Sequence, residues 1–474
     1  MVSGASRLVV AGLSGDSGKT LVALALLLGA RDGGVPVRGF KKGPDYIDAA
    51  WLAWASGSPA RNLDTFLAGA EGVTQAFWRH AVRGTGQAVS GVNVIEGNRG
   101  LFDGADAEGT HSTAVLAKLL RAPVVLVINV RKMTATAAAL VRGCQALDPE
   151  LPIAGAILNR VHGRRHEAVA REAIERACGV PVLGAIPQLG DQDLLPGRHL
   201  GLVTPREHPS IDHLAGALRR VAREYLDLER MIQIAAAADT ADTQVSMVER
   251  SEAQPGHKPS VTIGYLSDAA FSFYYPDNLE ALEAHGATLV PLSSLSGDPL
   301  PSDLAALYIG GGFPETHAGA LAANRPLLDS LRASAARGLP IYAECGGLML
   351  LANTVTWQGT RHTMAGVLPI DVEVLAAPQG HGYVVLSVDR RNPFFACGLE
   401  IRAHEFHYSR IVGAVPASAC AVLRGTGCGG GRDALVVNRV WASYAHVHAA
   451  GQPAWADGVL RAAREYANTP GGSS

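Results

Sequence analysis

Hydrophobic and polar positions in the first half of the chain switch repeatedly between two rhythms. Apolar runs of strand length, Arg7–Leu13, Val92–Glu96, Pro123–Asn129, Ile153–Leu158 and Val180–Ala185, alternate with longer stretches of helical spacing such as Lys19–Arg31 and Ser112–Leu120. That alternation predicts βαβ units and a mostly parallel sheet. Within the first helix, Leu21–Leu28 is apolar but too short to cross a bilayer, and it predicts a buried helix. A last helix over Ile211–Arg230 closes the unit.

The periodicity lapses from about Ala235 to Pro259, where Ala, Thr, Ser, Gln and charge dominate and Pro255-Gly256 intervenes; this stretch reads as a linker. Strand-length runs return at Val261–Leu266, Thr288–Pro291, Ala305–Ile309 and Pro340–Ala343, and later at Val384–Val388 and Ala434–Val437, predicting a second α/β domain. No repeat of solenoid period is visible. The expected organisation is an α/β domain over 1–232, a linker over 233–259, an α/β domain over 260–468 and a disordered tail over 469–474.

Composition narrows the partners. The 474 residues exceed one ordinary core, and 48% are hydrophobic, enough for two well-buried domains. A formal charge of −2 offers no electrostatic basis for binding nucleic acid or an anionic membrane. Small-molecule partners are expected instead. The cysteines, Cys144, Cys178, Cys345, Cys397, Cys420 and Cys428, form neither a C-x-x-C pair nor a regular framework, which suits reduced thiols in a cytoplasmic protein.

Two segments carry chemistry. The first apolar run leads into Gly12-Leu-Ser14-Gly15-Asp-Ser-Gly18-Lys19-Thr20 and then a helix, the arrangement in which backbone N–H groups cradle phosphates. Lys19 would reach the β and γ phosphates of ATP, and Thr20 would ligate Mg²⁺. Five residues separate Gly12 from Gly18 where four are usual, and Leu13 stands at the first glycine position of the standard motif. Glu96, ending an apolar strand beside Gly97, is a candidate Mg²⁺ ligand. Lys41-Lys42-Gly43-Pro44-Asp45 continues to Asp48; here Lys41 suits charge neutralisation and Asp45 metal binding. Asn159 is a candidate for recognising a base edge.

The second segment, Leu339–Leu348, is an apolar strand, a glycine-rich turn around Glu344-Cys345-Gly346-Gly347 and a helix. It has the form of a nucleophile elbow with Cys345 as nucleophile. A helix N-terminus is expected to lower the thiol pKa. Tyr308–Glu315 follows another strand, and Gly311 and Gly312 offer amides for an oxyanion hole. His446 is the candidate general base, with His448 on the same face if the segment is extended. His404 and His407 form a competing cluster, and a metal site made from all four histidines is a lesser alternative.

Jointly, Ser14–Thr20, Lys41–Asp48, Arg61–Asp64, Glu96–Gly104, Leu158–Arg160, Ala269–Asn278, Gly310–Glu315, Ala343–Gly347, His404–Ser409 and Ser443–His448 give the chain, over nearly its whole length, a resemblance to the cobyrinate a,c-diamide synthases. Those enzymes are related to cobyric acid synthase and dethiobiotin synthetase. The resemblance implies a P-loop, dethiobiotin synthetase-like ligase domain followed by a class I glutamine amidotransferase-like domain. It further implies that Cys345, activated by His446, releases ammonia from glutamine through a thioester. ATP then activates the a and c acetates of a tetrapyrrole as acyl phosphates, with Mg²⁺ as the metal. Class I glutaminases usually carry Pro-Glu after the histidine; Val447-His448 stands there, leaving the residue that orients His446 unassigned.

Departures from the family lie near substrate-contacting parts. Lys42 stands where Val is common, Ala49 where Pro is, Glu96–Gly100 replaces a more apolar segment, and Ser267-Asp268 replaces Arg-Asp. The extra cations Lys42 and Arg99, with Asp48, are candidate substrate contacts suited to a polycarboxylate. Siroheme and nickel-sirohydrochlorin therefore stay open as alternative rings, and the sequence also leaves a homodimer open. A P-loop switch ATPase is the remote alternative. Against it, Ser14 occupies the position of the signature lysine of partition-type ATPases, and such a switch has no use for a glutaminase domain.

Overall fold

The computed structural model of the protein describes residues 4–83, 91–189, 195, 197–198, 201–238 and 260–469. These fall into two compact units, one within residues 1–65 and 69–248 and the other within 66–68 and 249–474. Residues 239–259 of the expected linker and 470–474 of the expected tail lie outside the described residues.

In the first unit the strands are β1 (Arg7–Gly12), β2 (Val37–Lys42), β3 (Arg61–Leu63), β4 (Val92–Glu96), β5 (Val124–Asn129), β6 (Ile153–Val161) and β7 (Val182–Pro187). They form one parallel sheet in the order β3-β2-β4-β1-β5-β6-β7. Both β1 and β4 are buried along their whole length, which is why they read as mainly apolar runs without alternation. The chain departs from β1 first toward β2 and later toward β5, so the crevice at the carboxyl end of β1 is the topological switch point.

One helix differs from expectation. The segment Ile211–Arg230 is not continuous: one helix spans Ile211–Tyr225 and a second spans Leu228–Ala237. Leu226 pairs with Gly184 as an isolated β-bridge, pulling the chain out of helical geometry. The Asp227 carboxylate then caps the second helix by accepting from the Arg230 N–H at 3.0 Å. This helix continues into the stretch assigned to the linker.

The second unit is built on a ten-stranded sheet. Its parallel half runs Ala287–Leu292, Val261–Leu266, Ala306–Ile309, Ile341–Glu344, Val440–Ser443. From there it continues antiparallel through Arg432–Val437, Ser418–Arg424, Gly380–Val388, Glu400–His407 and His446–Val447. The strand Glu400–His407 was not expected from its sequence. Its buried positions are Ile401, Ala403, Glu405 and His407, so polar side chains on the inner face mask the alternation. A further four-stranded sheet joins Thr360–Thr363, Thr354–Trp357, Asp371–Val374 and Ser409–Val412. No described helix is long and apolar enough to cross a membrane.

The C-terminal helix Ala454–Ala467 seals the parallel half, with Trp455 fully buried and its ring centroid 5.4 Å from that of Tyr308. Gly458 lets this helix approach so closely that a Cβ there would sit 2.1 Å from the Phe394 carbonyl oxygen. Helix propensity alone favours alanine over glycine by about 1 kcal/mol. The clash outweighs it, because the obstructing atom is backbone. Gly458→Ala should therefore destabilise the protein by roughly 1–3 kcal/mol, read as an earlier midpoint in denaturant. A later midpoint would show that the helix can shift away.

Candidate functional site

The phosphate-loop candidate is held open by its neighbours. Gly15–Ser17 form a single 3₁₀ turn, and Gly18 takes φ 94° at the start of α1 (Lys19–Asp32). At the end of β6, Asn159 donates Nδ2 to the Ser17 carbonyl at 2.9 Å, and a Cβ on Gly18 would stand 2.2 Å from that nitrogen. Glycine is needed at 18 for both reasons. The Asn159 Oδ1 accepts from the Arg160 N–H at 2.9 Å. Asn159, the candidate for a base edge, here braces the loop. Lys19 donates to the Ser14 carbonyl at 2.7 Å, and burial, then the nearby Lys41, lower its pKa.

Parallel register puts Lys41 of β2 opposite Glu96 of β4. Glu96 is fully buried; its Oε1 accepts from Thr20 Oγ1 at 2.7 Å and from Lys41 Nζ at 3.1 Å. Lys41 also lies 2.6 Å from Asp48 Oδ2 and donates to the Gly97 carbonyl at 3.0 Å. Asp48, grouped above with substrate contacts, thus joins the Lys41–Glu96 cluster. Burial opposes the Lys41 ammonium, but Asp48 and Glu96 outweigh it and hold its pKa above the ordinary value. Burial raises the Glu96 pKa against the pull of Lys41.

Asp45, expected to bind metal, serves here as the N-cap of the helix α2 (Tyr46–Ser56), accepting from the Asp48 N–H at 2.8 Å. Burial and then Asp48 push its pKa up to about 7. The other two candidate magnesium ligands, Thr20 and Glu96, offer oxygens suited to the ion. The Glu96 Oε2 is buried with no hydrogen-bond partner among the described residues, and a hard cation prefers such oxygens.

Lys42 departs from the picture of a solvated surface lysine. The residue is 4% exposed and forms no hydrogen bond or ion pair among the described residues. Since β2 runs extended through both lysines, consecutive side chains point to opposite faces. Burial lowers the Lys42 pKa; Asp64, which opposes this, is its principal anionic neighbour, and Arg99 is among its cationic ones. Arg99 itself is exposed, with φ 49°. The Arg61–Asp64 motif acquires roles its sequence did not declare. Asn62 donates to the carbonyls of Gly43 at 2.8 Å and Asp45 at 2.9 Å, fixing the turn after Lys42.

In the second unit, Ile341–Glu344 ends at Cys345, whose backbone takes φ 47° and ψ −94° before the helix Gly346–Leu351. A non-glycine residue held there costs on the order of 1–3 kcal/mol, as strained nucleophile turns do. The two following glycines make the turn possible. A Cβ on Gly347 would stand 2.5 Å from the Ile309 carbonyl, and one on Gly346 would stand 3.2 Å from the Gly312 nitrogen. The Gly311-Gly312 segment therefore lies against the elbow. A Cβ on Gly311 would lie 2.7 Å from Cε1 of His446, so that ring borders the same segment.

The thiol is not poised as expected. Burial, then Glu315 and Glu344, push the Cys345 pKa well above the ordinary thiol range. The helix behind it has only six residues, and its start does not offset these effects.

The histidines separate. His446 Nδ1 lies 3.3 Å from Glu344 Oε2. His448, expected to share its face, packs its ring on Tyr275 and accepts from the Ala450 N–H at 3.2 Å. His407 stacks on Tyr444 at 3.7 Å and contacts the Ser409 carbonyl, while the His404 ring lies 6.5 Å from that of His446. Among the described residues, no group of three His, Cys, Asp or Glu side chains is placed to hold a metal. Asn278 clamps the histidine segment: Nδ2 donates to the Val447 carbonyl and Oδ1 accepts from the Ala449 N–H, each at 2.7 Å.

Comparison with known proteins covers both units. Residues 8–203 match the CobQ/CobB/MinD/ParA nucleotide binding domain family, and residues 262–454 match the CobB/CobQ-like glutamine amidotransferase domain family. Over 97% of both chains, the protein is 42% identical to a cobyrinate a,c-diamide synthase of Magnetococcus marinus. It is 39% identical to one of Methanothermobacter thermautotrophicus, over 97% of this chain and all of the other. A third, of Syntrophotalea carbinolica, is 40% identical over 94% of this chain and 96% of its own.

The Thr20–Glu96 pair yields a prediction independent of the second substrate. Glu96→Gln should raise the magnesium concentration needed for ATP turnover and slow that turnover about 10²-fold, read by phosphate release across a magnesium series. An unchanged magnesium dependence would remove Glu96 from the metal site.

Proposed function

The chain belongs to the cobyrinate a,c-diamide synthase family, and on that premise we propose that it amidates the a and c acetates of cobyrinate, with glutamine as nitrogen donor and ATP as energy source. The observation that carries this reading is a strained cysteine elbow bordered by His446 and Gly311-Gly312, on the same chain as a glycine-rich loop backed by Thr20 and Glu96.

Each half-reaction has its groups. Cys345 Sγ attacks the side-chain carbonyl carbon of glutamine as His446 takes the thiol proton. The C–N bond breaks, His446 returns the proton to the leaving nitrogen, and ammonia departs from a thioester that water hydrolyses to glutamate. Donors from Gly311 and Gly312 would steady the oxyanion. At the ligase site, a substrate carboxylate oxygen attacks the γ phosphorus of ATP and ADP leaves. Ammonia then displaces phosphate from the acyl phosphate to give the amide. Lys19 would exchange the Ser14 carbonyl for phosphate oxygens. Magnesium held by Thr20 and Glu96 would neutralise phosphate charge.

Lys42 is the residue we assign to a substrate carboxylate. Its support is burial without an ion pair, in a strand whose neighbouring lysine already serves the Glu96 cluster. Arg99 would assist from the exposed side of the same region.

The decisive experiment incubates the protein with ATP, Mg²⁺, glutamine and, separately, cobyrinate, siroheme or nickel-sirohydrochlorin, with amide formation read by mass spectrometry. Two amidations of cobyrinate are expected; turnover of another ring alone would reassign the substrate. Cys345→Ala and His446→Ala should lose glutamine-dependent synthesis yet retain it with ammonium, since only thioester formation needs them. Lys42→Val should raise KM for the ring and leave that for ATP nearly unchanged, as for lost binding of one substrate. A higher KM for ATP with the ring unaffected would put Lys42 at the nucleotide.

A further inference from the structure

Glutaminases of this architecture need a group that keeps the catalytic imidazole in one tautomer, and the residues after His446 cannot supply it. Val447 is apolar and buried in the core, and His448 is turned toward Tyr275, with Nε2 3.9 Å from Asp277. We propose that Glu344, the residue immediately before the nucleophile, is the positioning residue that orients His446 for glutamine hydrolysis. The proposal rests on the Cys345–His446 reading above and names a member that reading leaves vacant.

Both oxygens of Glu344 are held. The residue is 0% exposed; Oε2 faces His446 Nδ1 at 3.3 Å and accepts from the Tyr308 hydroxyl at 3.2 Å, while Oε1 accepts from the Val447 N–H at 3.2 Å. Tyr308 is in turn within 3.5 Å of Asn278 Nδ2, the same amide that clamps the Val447 carbonyl. The carboxylate therefore sits in a fixed cradle that spans the nucleophile strand, its neighbour and the histidine segment.

The chemistry follows from the ring. When Nδ1 carries the proton and donates it to Glu344, Nε2 must present its lone pair. A Cβ on Gly311 would lie 3.4 Å from that Nε2, so the nitrogen borders the glycine segment whose next residue, Gly312, lies against the elbow. His446 becomes an imidazolium once it takes the Cys345 proton. In a buried site that charge needs a partner, and Glu344 is in contact with the ring that bears it. Two other carboxylates act on Cys345, Glu315 and Glu405. Glu405 is committed elsewhere, accepting from the N–H groups of Thr426 at 2.6 Å and Gly427 at 2.9 Å, with His407 3.5 Å away.

A carboxylate that merely ties two strands together would have the same contacts, so the test separates the roles. In the full-length protein, Glu344→Gln should cut glutaminase kcat by about 10²-fold or more. The KM for glutamine and the ammonium-dependent synthesis should stay near their original values. Glu344→Asp should recover part of the loss. Calorimetric titration of glutamine into Cys345→Ala, with and without Glu344→Gln, shows whether the pocket survives; equal affinities are expected. A kcat within about threefold of the original overturns the proposal, as does a matching loss of glutamine affinity in the Cys345→Ala background. If Cys345→Ala itself still hydrolyses glutamine, the underlying assignment fails first, whatever Glu344→Gln does.

Discussion

Parallel strand pairing is the constraint on which both sites depend. In a parallel ladder, residues opposite one another end their strands at the same edge, so side chains distant in sequence converge there. Lys41 meets Glu96 because β2 and β4 are in register, and Glu344 meets the histidine segment because its strand pairs Glu344 with Ser443. Glycines at 18, 346 and 347 then bring loop or helix backbone against that edge more closely than any side chain would permit. A slip of one residue in either ladder would turn these side chains to the opposite face of the sheet.

The buried charges are the costly part of this arrangement. An ammonium and two carboxylates taken from water each lose several kcal/mol of hydration, and mutual attraction compensates only when the geometry is close. Lys41, at 2.6 Å from Asp48 and 3.1 Å from Glu96, meets that condition. Lys42, also buried but lacking such contacts, does not. That burial without a close partner is the observation behind the substrate contact proposed for Lys42.

Much of this was legible in the sequence because the signals were local. The strand–loop–helix around Gly12–Thr20 and the strand–elbow–helix around Cys345 are contiguous, and their apolar runs fix the elements on either side. What was not legible came from contacts across the chain. The hold of Asn159 on the Ser17 carbonyl, 142 residues away, is invisible in its motif. Asp48 joins the Lys41–Glu96 cluster only through folding, and the partition of His446 from His448 depends on Glu344 and Tyr275, about 100 and 170 residues distant. Glu344 lay inside a recognised motif, but nothing in its spacing distinguished an orienting acid from a strand-terminal one. The shift of the thiol pKa has a related reason: a short helix start is visible in sequence, whereas complete burial of the elbow and the facing Glu315 are not.

The buried elbow has a consequence for the resting protein. Burial, and then Glu315 and Glu344, disfavour the Cys345 thiolate, and thiolate is the form that peroxides, disulfides and alkylating agents attack. On the role proposed for it, Cys345 would be shielded first by its burial and then by the facing acids, and its proton would leave only once a bound amide gives the sulfur something to do. Chemical inertness between turnovers and nucleophilicity within them would then both follow from the surroundings of the sulfur rather than from the cysteine itself.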